Sequence, residues 1–290
     1  MRHLFGMLLF FVVAGAACGG ETPGEPAPFP APVALRVETE LFADGRESPV
    51  ARSLTLFDAG VAWDFLELPA DHPQGDDPAG MKLVEIVLHD PARERVVVID
   101  PAGSRKTEIP LIRLERLSVS LAKWARSSDD RLVRWAGGPD FTAGFEEEGN
   151  RLDLAGPRVR YSVVHTAAES PAVAGTYRRF ADTAILLKAL LHPGGIPPFP
   201  RLAVNERLED EAAIPAEVTL EIDSRLALVS GSPSRMRSVH KSHPRLLAAD
   251  RRLIEEAQAH VAAAAAVDLA TFMAPAPSAD EAHGKAHADD

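Results

Sequence analysis

Paired acidic residues are the first candidates for catalysis, because two carboxylates at a suitable separation can hydrolyse a glycosidic bond. Asp90 and Asp100 each stand directly before a proline. The surrounding pattern predicts a hairpin that turns at residues 91–94 and places Leu88 opposite Val97. In that register the two aspartates lie about 16 Å apart, whereas glycosidase carboxylates lie roughly 5–9.5 Å apart. We therefore interpret both aspartates as turn residues.

Histidines and one further carboxylate are candidate metal ligands. The same hairpin brings Glu85 opposite Asp100, and two carboxylates placed in this way could bind a cation. Solvated carboxylates at the end of a strand are the simpler interpretation. His240 and His243 flank a predicted junction between a strand and a helix, but the sequence identifies no third ligand for a metal. His283 and His287, in the C-terminal tail, could hold Cu or Zn weakly. We interpret them as part of a solvated tail.

The common catalytic motifs are absent. The chain has no P-loop, no dinucleotide-binding glycine fingerprint, no HExxH, no GxSxG and no EF-hand loop. Its net charge of −11 argues against a nucleic-acid partner, since binding to phosphates needs an excess of Lys and Arg. We therefore predict no catalytic residue, no metal site, no cofactor and no nucleic-acid partner.

Cys18, the only cysteine, stands where a secretory signal would end. Arg2 supplies a basic start, residues 4–13 are apolar apart from Gly6, and residues 14–17 are small. These are the parts of a signal peptide. The apolar segment is too short to span the roughly 30 Å hydrocarbon core comfortably as a permanent helix. We therefore expect export of the chain.

The segment Gly15-Ala16-Ala17-Cys18 resembles the lipobox of bacterial lipoprotein precursors. Gly15 departs from the family pattern, in which this position usually holds an aliphatic residue. The resemblance implies that Cys18 becomes the lipid-modified start of a protein anchored in the periplasm or on the outer membrane. Plain secretion and an uncleaved membrane anchor are the alternatives.

A proline-rich segment follows the cysteine. Gly19–Pro32 contains five prolines and three glycines, a composition that predicts an extended spacer of about 40 Å. Removal of residues 1–17 takes away one positive charge and leaves −12. An acidic chain is repelled by anionic lipid, so we expect attachment to rest on the N-terminal lipid and not on a basic surface.

The elements that would position these residues follow from hydrophobic periodicity. Alternating apolar residues predict five strands joined by short turns, which is typical of an antiparallel meander. The predicted strands are 33–41, 50–58, 61–68, 82–90 and 94–100. Helical spacing of Leu114, Leu117, Leu121 and Trp124 follows, and short strands return near residues 151–154 and 158–165.

Three more helices are predicted in the C-terminal half, the second of them a short one near residues 202–211. Ser170-Pro171 is a typical start for a helix that ends at Leu191. Ser242 is the predicted cap of a last helix. The order of strands, helices, strands and helix indicates an α+β fold, an antiparallel meander or curved sheet with helices packed on one face.

This order of elements is loosely similar to that of periplasmic lipoprotein carriers of the LolA and LolB type, although no helix precedes the first strand here. The resemblance implies a curved sheet that binds an apolar ligand. The residues expected to face such a ligand are Val33, Leu35, Val37, Leu41, Ile86, Leu88, Val97, Ile99 and Leu187.

The sequence thus predicts four segments: a signal peptide at 1–17, a tether at 18–32, one α+β domain at 33–273 and a disordered acidic, His-containing tail at 274–290. The favoured function is a lipid-anchored envelope protein that binds or carries an apolar ligand or an envelope protein without catalysis. A hydrolase with dispersed catalytic residues and a structural envelope component are the alternatives.

Overall fold

The computed structural model describes residues 33–70, 80–223 and 234–274. The predicted signal peptide, the tether and nearly all of the predicted tail lie outside these residues. Cys18, His283 and His287 therefore also lie outside the part of the chain that the structure describes.

The described residues form one open, curved sheet of twelve strands and an α+β fold, as predicted. The strands are β1 (Leu35–Ala43), β2 (Ala51–Asp58), β3 (Val61–Pro69), β4 (Met81–Asp90), β5 (Arg95–Asp100), β6 (Arg105–Pro110), β7 (Phe145–Glu148), β8 (Arg151–Ala155), β9 (Val159–Ala167), β10 (Ala213–Ile222), β11 (Arg235–His243) and β12 (Ala265–Ala266). The helices are α1 (Leu111–Arg126), α2 (Arg131–Ala136), α3 (Pro171–Leu191), α4 (Phe199–Asp210), α5 (Ala248–Ala263) and α6 (Leu269–Met273).

Apart from β12, which pairs with β6 in parallel, the sheet is built from two antiparallel runs that meet at its centre. Its strand order is β12-β6-β5-β4-β3-β2-β1-β11-β10-β9-β8-β7, so β1 pairs with both β2 and β11. The predicted meander and the register that sets Leu88 opposite Val97 are confirmed. Strand β6 was not predicted from the sequence, because only Thr107 and Ile109 of its six residues are buried.

Helices cover both faces of this sheet, whereas the sequence predicted them on one face. The face that carries Phe57, Ala62 and Val87 contacts α3 and is called the α3 face. The opposite face, which carries Leu56 and Trp63, packs against α5 and is called the α5 face. Residues of α1, α4 and α6 also pack against the α3 face.

Local hydrogen bonds at the helix starts explain where α3 and α5 begin. The Ser170 side chain accepts a hydrogen bond from the backbone N–H of Val173, so the predicted start of α3 is confirmed. The predicted cap at Ser242 is wrong, because Ser242 pairs with Val37 in the sheet. Helix α5 begins only at Ala248, after a turn in which Asp250 accepts a hydrogen bond from the backbone N–H of Leu247.

The core consists of four hydrophobic clusters, and all their members lie between residues 33 and 272. A chain that begins at Gly19 therefore keeps every described core contact. Among the described residues, no helix is both long and apolar enough to cross a membrane.

Candidate functional site

A cavity of about 370 Å³ opens on the α5 face of the sheet. It lies over strands β1–β4 and β11, beside Leu253 of α5. Its apolar wall consists of Leu54, Phe65, Leu83, Val239 and Leu253. Its polar wall contains Arg36, Glu38, Glu40, Arg52, Glu67 and Lys241.

Strand pairing places the apolar wall. Leu54 lies opposite Phe65, and Phe65 lies opposite Ile86, so these side chains form one continuous row across β2, β3 and β4. Helix α5 packs Ile254 and Ala257 onto the neighbouring part of the same face. The cavity is therefore a continuation of the hydrophobic core at the edge of the contact with α5.

Ion pairs fix one side of the cavity. The Arg36 guanidinium contacts Glu38 at 2.6 Å and Asp250, at the start of α5, at 3.2 Å. The Asp250 carboxylate also accepts a hydrogen bond from the backbone N–H of Leu247, so it links the first turn of α5 to β1. Buried pairs of this kind are costly to break, because removing one partner leaves the other charge unpaired.

The remaining charges of the cavity are distributed unevenly. Arg52 contacts Glu40 at 3.1 Å, so this guanidinium is also paired. Within the described residues, neither Lys241 nor Glu67 forms an ion pair. The Lys241 ammonium is therefore the cation of the cavity that is available to an anionic group on a ligand.

A second polar cluster lies on the α3 face. The ring of His240 lies between two hydroxyl groups, with Nδ1 at 3.0 Å from Thr39 Oγ1 and Nε2 at 2.9 Å from Ser238 Oγ. Burial, together with the positive charge of Arg201, lowers the pKa of His240 to about 3. This imidazole is neutral at physiological pH.

The contact between Ser238 and His240 has the geometry of a nucleophile and its base. In hydrolytic triads a carboxylate orients the histidine and stabilises the imidazolium that forms. Here a hydroxyl, that of Thr39, occupies this place. A conjugate acid with a pKa of about 3 also makes a weak general base, since efficient bases have pKa values near the working pH.

Asp64 also lies on the α3 face, with two strands, β1 and β2, between it and His240. Its carboxylate accepts a hydrogen bond from Thr55 Oγ1 at 2.7 Å. Burial raises the pKa of Asp64 to about 6, while the hydrogen bond from Thr55 and the charge of Lys188 act in the opposite direction. Lys188 of α3 also pairs with Glu85. The pair of Lys188 and Glu85 therefore lies close enough to Asp64, at the interface between α3 and the sheet, to influence its pKa.

The two aspartates considered as a catalytic pair have the predicted turn roles. Asp90 accepts a hydrogen bond from the backbone N–H of Arg93, and Asp100 accepts one from the backbone N–H of Gly103. The cation site considered for Glu85 and Asp100 is not formed, because Asp100 pairs with Arg105 and Glu85 pairs with Lys188.

The two histidines considered as candidate metal ligands, His240 and His243, are likewise not brought together. The His240 ring contacts hydroxyl groups on the α3 face, whereas the exposed His243 is an odd number of positions further along the same strand and lies on the other face. Within residues 33–70, 80–223 and 234–274, no group of three or more His, Cys, Asp or Glu side chains could hold a metal ion.

The residues expected to face one apolar ligand lie on two different faces. Leu35 and Val37, with Val33 packed beside them, contact residues of α3. Leu187 also lies on the α3 face and packs against Val87 and its neighbours. Leu41 follows the same alternation along β1, opposite Ser238. The other four residues, Ile86, Leu88, Val97 and Ile99, lie under α5.

Register is the reason for this division. Leu35 lies opposite Phe57, Phe57 lies opposite Ala62, and Ala62 lies opposite His89. The face of Leu35 therefore continues through His89 of β4, and Leu88 points to the other side. Since helices cover both faces, apolar alternation in one strand does not reveal which face it shares with another strand.

Sequence reasoning missed the residues that line the cavity. Their one signal is that β2 and β3 carry apolar residues on both faces, as in Leu54, Leu56 and Phe57, which indicates burial from two sides.

No protein-family model and no curated protein matches the chain.

Proposed function

We propose that this chain is a binding protein of the cell envelope that holds an amphipathic small molecule in the cavity on the α5 face, without catalysis. The observation that carries this proposal is the cavity itself, in which an apolar wall faces charged side chains. Its volume of about 370 Å³ falls within the range of roughly 300–1,000 Å³ that is typical of small-molecule sites.

The lining of the cavity indicates the chemistry of the ligand. An apolar body would lie against Leu54, Phe65, Leu83 and Leu253 and would remove these side chains from water. An anionic head would contact the ammonium group of Lys241, since Arg36 and Arg52 already have carboxylate partners. The proposed ligand is therefore a fatty-acid-like or lipid-like anion.

The cellular location in this proposal rests on the N-terminal sequence. A signal peptide followed by the lipobox-like Cys18 and a proline-rich tether would hold the domain near a membrane. The loose similarity to LolA-type and LolB-type carriers favours the same class of ligand. In this protein, however, the cavity lies beside α5 and not under α3.

A hydrolase is the second candidate, and the pair Ser238 and His240 favours it. The contact of 2.9 Å between Ser238 Oγ and His240 Nε2 would allow transfer of the hydroxyl proton. The low pKa of His240 and the hydroxyl of Thr39 in place of a carboxylate both weaken this pair as a catalyst. We therefore favour binding over hydrolysis.

An environment-sensitive apolar dye with an anionic group tests the binding function. A chain that begins at Gly19 should bind the dye saturably while it is folded. Leu253→Trp should block binding by filling the cavity, whereas Arg252→Trp, on the exposed side of the same helix, should bind as the parent does. Lys241→Gln should weaken binding of this anionic dye but leave binding of a neutral dye unchanged. Dye binding only by partly unfolded protein, or equal binding by both Trp variants, would exclude the cavity as the site.

A further inference from the structure

Helix α1 leaves an unusual set of side chains exposed. Ile112, Val119 and Trp124 are 50%, 71% and 54% exposed, although the sequence predicted Trp124 on the apolar stripe of this helix. Only Leu114 and Ala125 of α1 are fully buried. An exposed tryptophan and two exposed aliphatic residues on one helix are therefore not explained by packing within the described part of the chain.

The same surface is basic. Arg113, Arg116, Lys123 and Arg126 are exposed, and Glu115 is the one carboxylate of α1, so the helix has a net charge of +3. The whole chain has a net charge of −11. Within the described residues, none of these four cations forms an ion pair.

Helical geometry places the apolar and basic residues together. Ile112, Arg116, Val119 and Lys123 follow one another at spacings of four, three and four residues, which puts them on one stripe of a helix. Trp124 lies about 100° round the helix from Lys123, at the edge of this exposed surface. We call this surface, with Ile112, Arg116, Val119, Lys123 and Trp124, the α1 outer face. It is about 18 Å long.

We propose that the α1 outer face docks on an anionic lipid surface. Lys and Arg beside an anionic leaflet are attracted by its surface potential. Tryptophan favours the boundary between headgroups and acyl chains, and aliphatic side chains of a helix that lies in the membrane plane enter the same boundary. An acidic protein partner would use the cations but would not need Ile112, Val119 and Trp124 to lie among them.

This docking does not depend on the ligand cavity, which lies on the opposite face of the sheet. It also does not require lipid on Cys18. If Cys18 is lipidated, the tether would hold the α1 outer face close to the membrane, so that a weak surface affinity would be enough to orient the domain.

Vesicle co-sedimentation tests the proposal with the chain that begins at Gly19, which has neither Cys18 nor the apolar N-terminal segment. It should bind phosphatidylcholine vesicles that contain phosphatidylglycerol and not vesicles of phosphatidylcholine alone. Arg116→Gln with Lys123→Gln should weaken binding by about 30-fold, since each cation near an anionic surface contributes about 1 kcal/mol. Arg251→Gln with Arg252→Gln, the same charge change on exposed residues of α5, should leave binding nearly unchanged.

Tryptophan fluorescence distinguishes lipid contact from simple charge attraction. Binding should shift the emission to shorter wavelength, because the exposed Trp124 leaves water, and Trp124→Phe should abolish this shift. Three outcomes would overturn the proposal: no preference for anionic vesicles, an equal loss in the α5 control, or binding without the Trp124 shift. Tight binding to soluble polyglutamate but not to vesicles would indicate an acidic protein partner and would likewise overturn it.

Discussion

His89 lies on β4 beneath α3, with 6% of its surface exposed, and its ring meets the edge of Phe180 at 4.7 Å between centroids. Its Nδ1 is buried without a hydrogen-bond partner among the described residues. Burial lowers the pKa of His89 to about 3, and the charge of Lys188 acts in the same direction. Between about pH 6.5 and pH 3, His89 is therefore neutral in the folded protein, whereas the unfolded chain binds a proton at this residue.

We expect His89 to make the protein sensitive to acid. Below about pH 6.5 the unfolded chain binds a proton at this residue, whereas the folded chain does not until about pH 3, so the free energy of unfolding falls as the pH falls. The slope is about 1.4 kcal/mol per pH unit. His89→Leu should remove about this slope between pH 6 and 4 in urea titrations, and the exposed His192→Leu should retain it. An unchanged slope in His89→Leu would show that His89 is already protonated in the folded state.

Asp64 has the opposite effect on the same curve. Its folded pKa of about 6 lies above the ordinary value of 3.8, so the folded protein binds this proton before the unfolded chain does. The free energy of unfolding therefore rises through this group as the pH falls from 6 to 4. His240, with a pKa of about 3, acts like His89, so the loss of stability in acid should prevail.

Helix α3 joins two core clusters across the sheet. Its first half packs Val173 and Tyr177 against β1 and β2, and its second half packs Leu187 and Leu191 against β4, β5 and β6. Phe180 lies between these halves, with its ring centroid 5.3 Å from that of Phe57 in an edge-to-face contact. The helix therefore connects β1 and β2 with β5 and β6, which are not direct neighbours of these strands in the sheet.

We expect the two sides of α3 to respond differently to truncation. Phe180→Ala should lower the free energy of unfolding by about 3 kcal/mol, because it removes aromatic contacts with Phe57 and His89. Arg179→Ala, one position further round the helix, should change it by no more than about 0.5 kcal/mol, since Arg179 is exposed. A denaturant titration measures both, and equal losses would contradict the observed packing.

The molecule as a whole distributes its charge unevenly. A net charge of −11 predicted that no basic surface would contribute to membrane attachment, yet α1 alone has a net charge of +3. The net charge of the whole chain does not reveal such a local basic surface, because folding determines which charged side chains lie next to one another. Lipid at Cys18 and cations on α1 are therefore proposed as two separate means of attachment.

We expect the mature N-terminus to carry a lipid on Cys18. Mass spectrometry of protein purified from membranes should show an acyl mass on this residue, and Cys18→Ala should move much of the protein out of the membrane fraction. A mature chain that starts at Cys18 or later without added mass would show that the chain is secreted without a lipid anchor.

The sequence by itself determined the elements that depend on near neighbours. The first five strands, the hairpin register of β4 and β5, and the start of α3 at Ser170-Pro171 could all be predicted, because alternation, turns and caps are local. The missed strands β6, β7 and β12 are short and carry few large apolar residues, so their periodicity is weak.

Only the tertiary structure decided which side chains share a face. Thr39 meets His240 because β11 pairs with β1, and these residues lie 201 positions apart in the chain. The cavity likewise needs β1–β4, β11 and α5 in one place. Since helices bury both faces of the sheet, the apolar pattern of each strand fits either orientation. Long-range register alone divides Leu35 from Leu88 and sets Lys241 beside an apolar wall.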